Sequence, residues 1–267
     1  MGVLISRKQL EEIARERNLS LAIIQKDWAL GWILYGISSR VPELVFTGGT
    51  ALSKVYFPKM WRLSEDLDFA LPTDISNEEL ISELGDALVL VENDSQIKAH
   101  MEKPHSNPGY IQVKVKFEGP LYADTAKIDI KREPVLDEVR VKDILKNYPD
   151  YKGFTVRVKS LEEILARKIV TLMSRDRIRD YYDVWLMMTE TEVNVKRAGE
   201  IMKEYVSQNK VGFNPENIFT EDIERVLQPY WDREILRLAN PKITLKAMLA
   251  QLKKQLQTAG IIQGSEP

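Results

Sequence analysis

The 267-residue sequence contains no cysteine and only two histidines, His100 and His105. The first absence excludes a disulfide scaffold, a zinc ribbon and a thiolate nucleophile, and the second leaves no histidine-rich metal cluster. Acid and base chemistry must then come from carboxylates and lysines. Also missing is any uncharged apolar run of about 18 residues, the length that spans a bilayer. The opening stretch, MGVLISRKQLEEIARERN, is amphipathic and charged, unlike the basic tip and apolar segment of an export signal. These features predict a soluble, cytoplasmic protein with no membrane partner. Charge of one sign is not in excess either: 40 acidic residues against 38 basic ones give −2. A nucleic-acid partner can therefore be argued only from local patches.

What is present suffices for a core. The chain is 44% hydrophobic and 8% aromatic, and its length suits one elaborated domain or two small ones. Residues 6–18 and 20–39 read as helices, the second opened by Ser20. Leu44 to Thr47 is a short β-branched and aromatic run that stops at Gly48-Gly49, with a helix expected directly afterwards at 50–56. Further strands are expected at 65–71, 110–117, 125–131 and 154–158, and a helix at 76–93. Ser160 and Glu163 form a capping-box pattern before a helix at about 161–175, and the remaining sequence is helical in texture. The expected class is α+β, a small mixed sheet with flanking helices over 1–159 followed by a helical lobe over 160–267. His100 and His105 fall in a Pro/Asn-rich loop and should be exposed. Trp28, Trp32, Trp61, Trp185 and Trp231 should be packing residues.

The chemistry concentrates in Phe46-Thr47-Gly48-Gly49-Thr50-Ala51-Leu52-Ser53-Lys54 and in Arg62-Leu63-Ser64-Glu65-Asp66-Leu67-Asp68-Phe69. On a strand, residues i and i+2 share a face, so Asp66 and Asp68 stand side by side while Leu67 and Phe69 turn to the core. Two like charges that close call for a cation, and hard oxygen ligands with open positions suit Mg²⁺. A glycine pair lets backbone approach an anion, and a helix start after it adds unpaired N–H groups. Asp129, in Ala-Lys-Ile-Asp-Ile, supplies a third carboxylate. Were its strand beside that of Asp66 and Asp68, the three acids could hold two Mg²⁺ ions. Lys168 lies amid Ile164, Leu165, Ile169 and Leu172, so it either snorkels outward or reaches into a site. Asp180 and Asp183, one turn apart, could orient it or bind nearby arginines. Lys26 and Asp27 admit a structural or a functional role equally.

Taken together, GGTALSK followed by RLSEDLDF resembles the AbiEii family of toxin nucleotidyltransferases. SLEEILARK (160–168) and RDYYD (179–183) are similar to that family's later motifs, and Gln25-Lys26-Asp27-Trp28 to its N-terminal helix motif. Sixteen residues separate Gly49 from Asp66, a longer spacing than in many superfamily members. The resemblance implies a bilobal nucleotidyltransferase fold and a Mg²⁺-dependent transfer of a nucleoside monophosphate from an NTP. It further implies an RNA acceptor such as a tRNA 3′ end, and a cognate antitoxin. On it, Asp66, Asp68, Asp129, Lys168, Asp180 and Asp183 are the expected catalytic set, with Asp66, Asp68 and Asp129 as metal ligands. The second lobe is expected to bring Lys168 and Asp180/Asp183 to the cleft. Gly48, Gly49, Thr50, Lys54, Arg62 and Ser64 are the expected nucleotide-binding set.

Two stretches are locally basic. Residues 157–179 hold seven Lys/Arg against three Asp/Glu, and residues 241–258 hold four lysines and no acid. Both are candidates to track an RNA backbone. The competing functions are a nucleotidyltransferase acting on a small molecule such as an antibiotic, and a catalytically idle module that binds nucleotide or RNA.

Overall fold

The computed structural model describes residues 5–57, 62–239 and 241–263, so the expectation for Trp61 lies outside the described residues. Contacts divide the chain into two units, Met1–Val135 with Val139–Lys159, and Leu136–Glu138 with Ser160–Pro267.

The first unit opens with α1 (Arg7–Arg17) and α2 (Leu21–Arg40), each started by a serine whose hydroxyl accepts a backbone N–H of the first turn. Most of α2 is buried, including Ile23, Ile24, Trp28, Leu30, Ile33 and Leu34. The strands are β1 (Val45–Thr47), β2 (Asp66–Leu71), β3 (Ala99–Met101), β4 (His105–Asn107), β5 (Tyr110–Glu118), β6 (Ala123–Arg132), β7 (Arg140–Asp143) and β8 (Thr155–Val158). They form one mixed sheet in the order β3-β5-β6-β2-β1-β8-β7, with β4 also on β5. The pairs β2/β6 and β1/β8 are parallel and the others antiparallel. Strict alternation on β5 and β6 sends Ile111, Val113, Val115 and Phe117, with Ala126, Ile128 and Ile130, to the core. Helix α4 (Asn77–Ser95), capped by Ser76, packs against α2.

Several expectations shift. The loop carrying His100 and His105 contains β3 and β4, although both histidines are exposed as expected. The polar strand β7 has no apolar alternation to announce it. Helix α3 begins at Gly48 itself rather than after the glycines (Gly48–Ala51) and runs on as a single π-turn, Leu52–Tyr56.

The second unit is helical: α5 (Leu161–Leu172), α6 (Ile178–Glu190), α7 (Val195–Asn209), α8 (Ile223–Tyr230), α9 (Leu236–Ala239) and α10 (Leu245–Thr258). The Ser160 hydroxyl accepts the Glu163 N–H. The buried Glu163 carboxylate receives the backbone N–H groups of Leu136 and Asp137, at 2.9 and 3.2 Å, and so fastens that short segment to this unit. Helix α5 stops at Leu172, three residues short of the expected end, and Arg175 turns back to Asp180.

Candidate active site

Parallel register places Asp66 opposite Lys127 and Asp68 opposite Asp129. Since i and i+2 share a face, the four side chains form a square on one side of the sheet, while Leu67 and Ile128 between them are buried on the other. Antiparallel register adds Gln112 beside Asp129, and β1 sets Thr47 beside Asp68. The side-by-side placement of the Asp66/Asp68 strand and the Asp129 strand is therefore present in the fold.

The glycine turn closes over this square. Gly48 has φ of +77°, a conformation costly for any residue with a Cβ, and a Cβ there would run into the Asp68 carboxylate. At Gly49 a Cβ would collide with the Arg62 guanidinium and come within 3.4 Å of Ser64 Oγ. Gly48, Gly49, Asp68, Arg62 and Ser64 thus meet at one place, with no side chain on the turn to keep a phosphate away. The Thr50 hydroxyl donates to the Asp66 carbonyl, tying the turn to the start of β2. Thr50 is buried, so its role here is to hold the strand.

Lys54 is a correction. It belongs to the motif expected to bind nucleotide, but the π-turn carries it inward to complete burial. Its ammonium lies 2.7 Å from Asp27 Oδ2, donates to the Asp27 carbonyl at 2.7 Å and to the Tyr151 hydroxyl at 3.4 Å, and sits over the rings of Tyr148 and Tyr151. Burial pulls its pKa below that of a free lysine, with Asp27 opposing. Lys54 is a structural cation joining α2 to the π-turn. Asp27 takes the structural of its two readings, while half-buried Lys26 lies 4.0 Å from Asp124 and its charge also acts on Asp66.

The carboxylates of the square are unequal. Burial raises the Asp66 pKa, the Asp129 charge adds to this, and Lys127 opposes it. Burial also acts against the Asp129 charge, but hydrogen bonds from Tyr110, Gln112 (2.9 Å) and Lys127 outweigh it and hold this carboxyl below the usual range. Lys127 lies 2.9 Å from Asp129 Oδ2 and 3.6 Å from Asp66 Oδ2. Among the described residues no three His, Cys, Asp or Glu side chains converge as a metal-binding group. Asp66 and Asp68 fit a hard divalent ion by donor chemistry, each offering carboxylate oxygen on one strand face. Asp129 departs from the expected three-acid arrangement because a lysine, a tyrosine and a glutamine already surround it. Lys127, Tyr110 and Gln112 were not singled out from sequence. The available signal was the two-residue spacing of Lys127 from Asp129 and of Gln112 from Tyr110.

In the second unit, Lys168 on α5 is gripped by two acids of α6, 2.9 Å from Asp180 Oδ1 and 2.8 Å from Asp183 Oδ2. Arg175 also donates to Asp180, at 2.9 Å. Burial opposes the Asp180 charge, and Lys168 with Arg175 overcomes it, so its pKa is lowered. Asp180 thus contacts both Lys168 and Arg175, and Asp183 contacts Lys168. Ion pairs Lys159–Glu133, Arg167–Glu163 and Arg179–Glu234 engage further cations of the stretch 157–179. That stretch is consequently not the free basic stripe its sequence suggests. By contrast Lys242, Lys246, Lys253 and Lys254 are exposed, and no ion pair engages them among the described residues.

Solved structures share this fold. MenT4, a nucleotidyltransferase toxin from Mycobacterium tuberculosis H37Rv, matches with a TM-score of 0.72 at 20% identity, over 97% of this chain and 91% of its own. JHP933 from Helicobacter pylori matches with a TM-score of 0.59 at 19% identity, over 90% and 93%. The chain thus has the fold of a nucleotidyltransferase toxin. Residues 32–251 match the sequence model of the nucleotidyl transferase AbiEii toxin family of type IV toxin–antitoxin systems, and the chain belongs to that family. Membership brings a nucleotide substrate and an antitoxin partner. No curated protein matches the sequence. Among the described residues no helix is long and apolar enough to cross a membrane.

Proposed function

We propose that this enzyme transfers a nucleoside monophosphate from an NTP to an RNA acceptor, a tRNA 3′ end being the intended target, in a Mg²⁺-dependent reaction in the cytoplasm that a cognate antitoxin restrains. The observation that carries the reading is the closure of the Gly48-Gly49 turn over Asp68, with Asp66 and Asp129 on the same sheet face.

Asp66 and Asp68 would hold the Mg²⁺, whose chemistry here is to neutralise phosphate charge and polarise the reacting phosphoryl group. Gly48 and Gly49 admit the phosphates to the backbone, and Arg62 and Ser64 beside Gly49 donate to them. Asp129, kept ionised by its three donors, adds fixed negative charge beside the ion-binding pair Asp66 and Asp68. Lys168, oriented by Asp180 and Asp183, is assigned the charge that builds on the departing pyrophosphate. The exposed lysines of α10 and the turn before it, Lys242, Lys246, Lys253 and Lys254, supply cations for an RNA backbone.

The test is incubation of the full chain with each labelled NTP, Mg²⁺ and total tRNA. Label retained on tRNA after denaturing electrophoresis supports the reading. Label reaching only small molecules supports the antibiotic-modifying alternative, and NTP binding without any transfer supports the idle module.

A further inference from the structure

Three carboxylates on one sheet face raise the question of what balances them. Two divalent ions would do so, but the fold has placed a cation of its own there. Lys127 stands opposite Asp66 on the neighbouring strand and two residues before Asp129, so its stem rises from one corner of the square on the same sheet face as the acids. Its ammonium spans the gap between the strands, 2.9 Å from Asp129 Oδ2 and 3.6 Å from Asp66 Oδ2. Asp129 Oδ1 already accepts from Tyr110 and Gln112. Both oxygens of Asp129 are therefore engaged, and its side chain is only 11% exposed. A second ion could ligate Asp129 only by expelling an ammonium tethered through the backbone, which returns at high effective concentration whenever the ion leaves.

We propose that Lys127 is a built-in cation occupying the place of a second divalent ion between Asp66 and Asp129, so that the site takes one divalent ion, held by Asp66 and Asp68. The inference rests on the metal-dependent reading above. It assigns Lys127 a positioning and charge-balancing role: it holds Asp129 ionised and oriented without a metal on that carboxylate. It also makes Asp66 the shared member, facing the ion on one side and the ammonium on the other.

The experiment is a titration of the full chain with Mn²⁺ alone, free ion being counted by electron paramagnetic resonance at fixed pH and ionic strength. Wild type should bind one Mn²⁺ per chain at this site. Lys127→Met, which keeps the apolar stem and removes the charge, should bind two. The second should vanish in Lys127→Met/Asp129→Asn. Lys127→Gln repeats the test should the Met variant fold poorly. Two ions on wild type that fall to one in Asp129→Asn would overturn the inference and leave the metal-dependent reading standing. One ion on wild type and still one on both Lys127 variants would overturn it too. No Mn²⁺ on wild type up to millimolar concentration would overturn the inference and the metal-dependent reading together.

Discussion

Replacing Lys54 with Met removes one charge from the most deeply enclosed ion pair described in the first unit. Lys54 is fully buried and Asp27 is 1% exposed. The Met side chain fills most of the lysine's volume, so little cavity results. What remains is a buried carboxylate whose Oδ1 has no hydrogen-bond partner among the described residues and whose Oδ2 keeps the Tyr148 hydroxyl at 2.9 Å. Stranding one partner of a buried pair costs roughly 3–5 kcal/mol, whereas replacing both partners by apolar groups is often neutral or better. At about 2–4 °C per kcal/mol for a domain of this size, the single variant should melt roughly 6–20 °C below wild type. Lys54→Met/Asp27→Leu should recover most of that loss. Scanning calorimetry of wild type and both variants reads the three values, and retained capacity to bind NTP in the double variant shows that Lys54 does not contact nucleotide. A single variant within about 1 kcal/mol of wild type, or a double variant as unstable as the single, would refute the account of Lys54 as a structural cation.

Gly48→Ala must hold a Cβ at positive φ, a cost of roughly 1–2 kcal/mol, and displace Asp68. A loss of about 100-fold in transfer with a modest drop in melting temperature is expected, because small misplacements of reacting groups have effects of that size. Equal transfer rates for wild type and variant would separate the turn from the site. Lys168→Met leaves Asp180 and Asp183 facing one another at 8% and 3% exposure. It should reduce stability by about 3 kcal/mol and raise the catalytic barrier by about 2–4 kcal/mol, read from denaturant unfolding and kcat/KM. Unchanged turnover per folded molecule would confine Lys168 to packing. Lys253→Ala/Lys254→Ala should weaken RNA binding and flatten its salt dependence by up to about 2 units on a log–log plot, leaving NTP binding as it was. An unaltered slope would remove α10 from the acceptor path.

How far the site can be read from sequence depends on the range of the interaction concerned. Asp66 and Asp68 are legible because a two-residue spacing within one strand fixes their shared face, and Leu67 and Phe69 confirm it from the buried side. The glycine pair is legible for the same local reason. Asp129 is visible as an acid between apolar neighbours, but Lys127 takes its meaning from a parallel register with a strand about sixty residues earlier. No local pattern encodes that register. Lys54 misleads because its motif lies next to the glycines, while the π-turn rotates its side chain toward α2. The stretch 157–179 misleads in a similar way: its net charge can be counted, but the partners Asp180, Asp183, Glu133 and Glu234 lie outside it. Strands β3, β4 and β7 are three or four residues long, and β4 and β7 are mostly polar, so pairing with a neighbour, not their own composition, makes them strands.

Transfer of label from NTP to tRNA by Asp66→Ala and Asp68→Ala, measured alongside their thermal melting, tests the central claim most directly. Both side chains lie on the half-buried face of β2 and carry like charge, so neither is needed to build the core. The account predicts that each variant melts within a few degrees of wild type while transfer falls to background, because each removes an oxygen donor from the ion on which the reaction depends. Near wild-type transfer by either folded variant would contradict it.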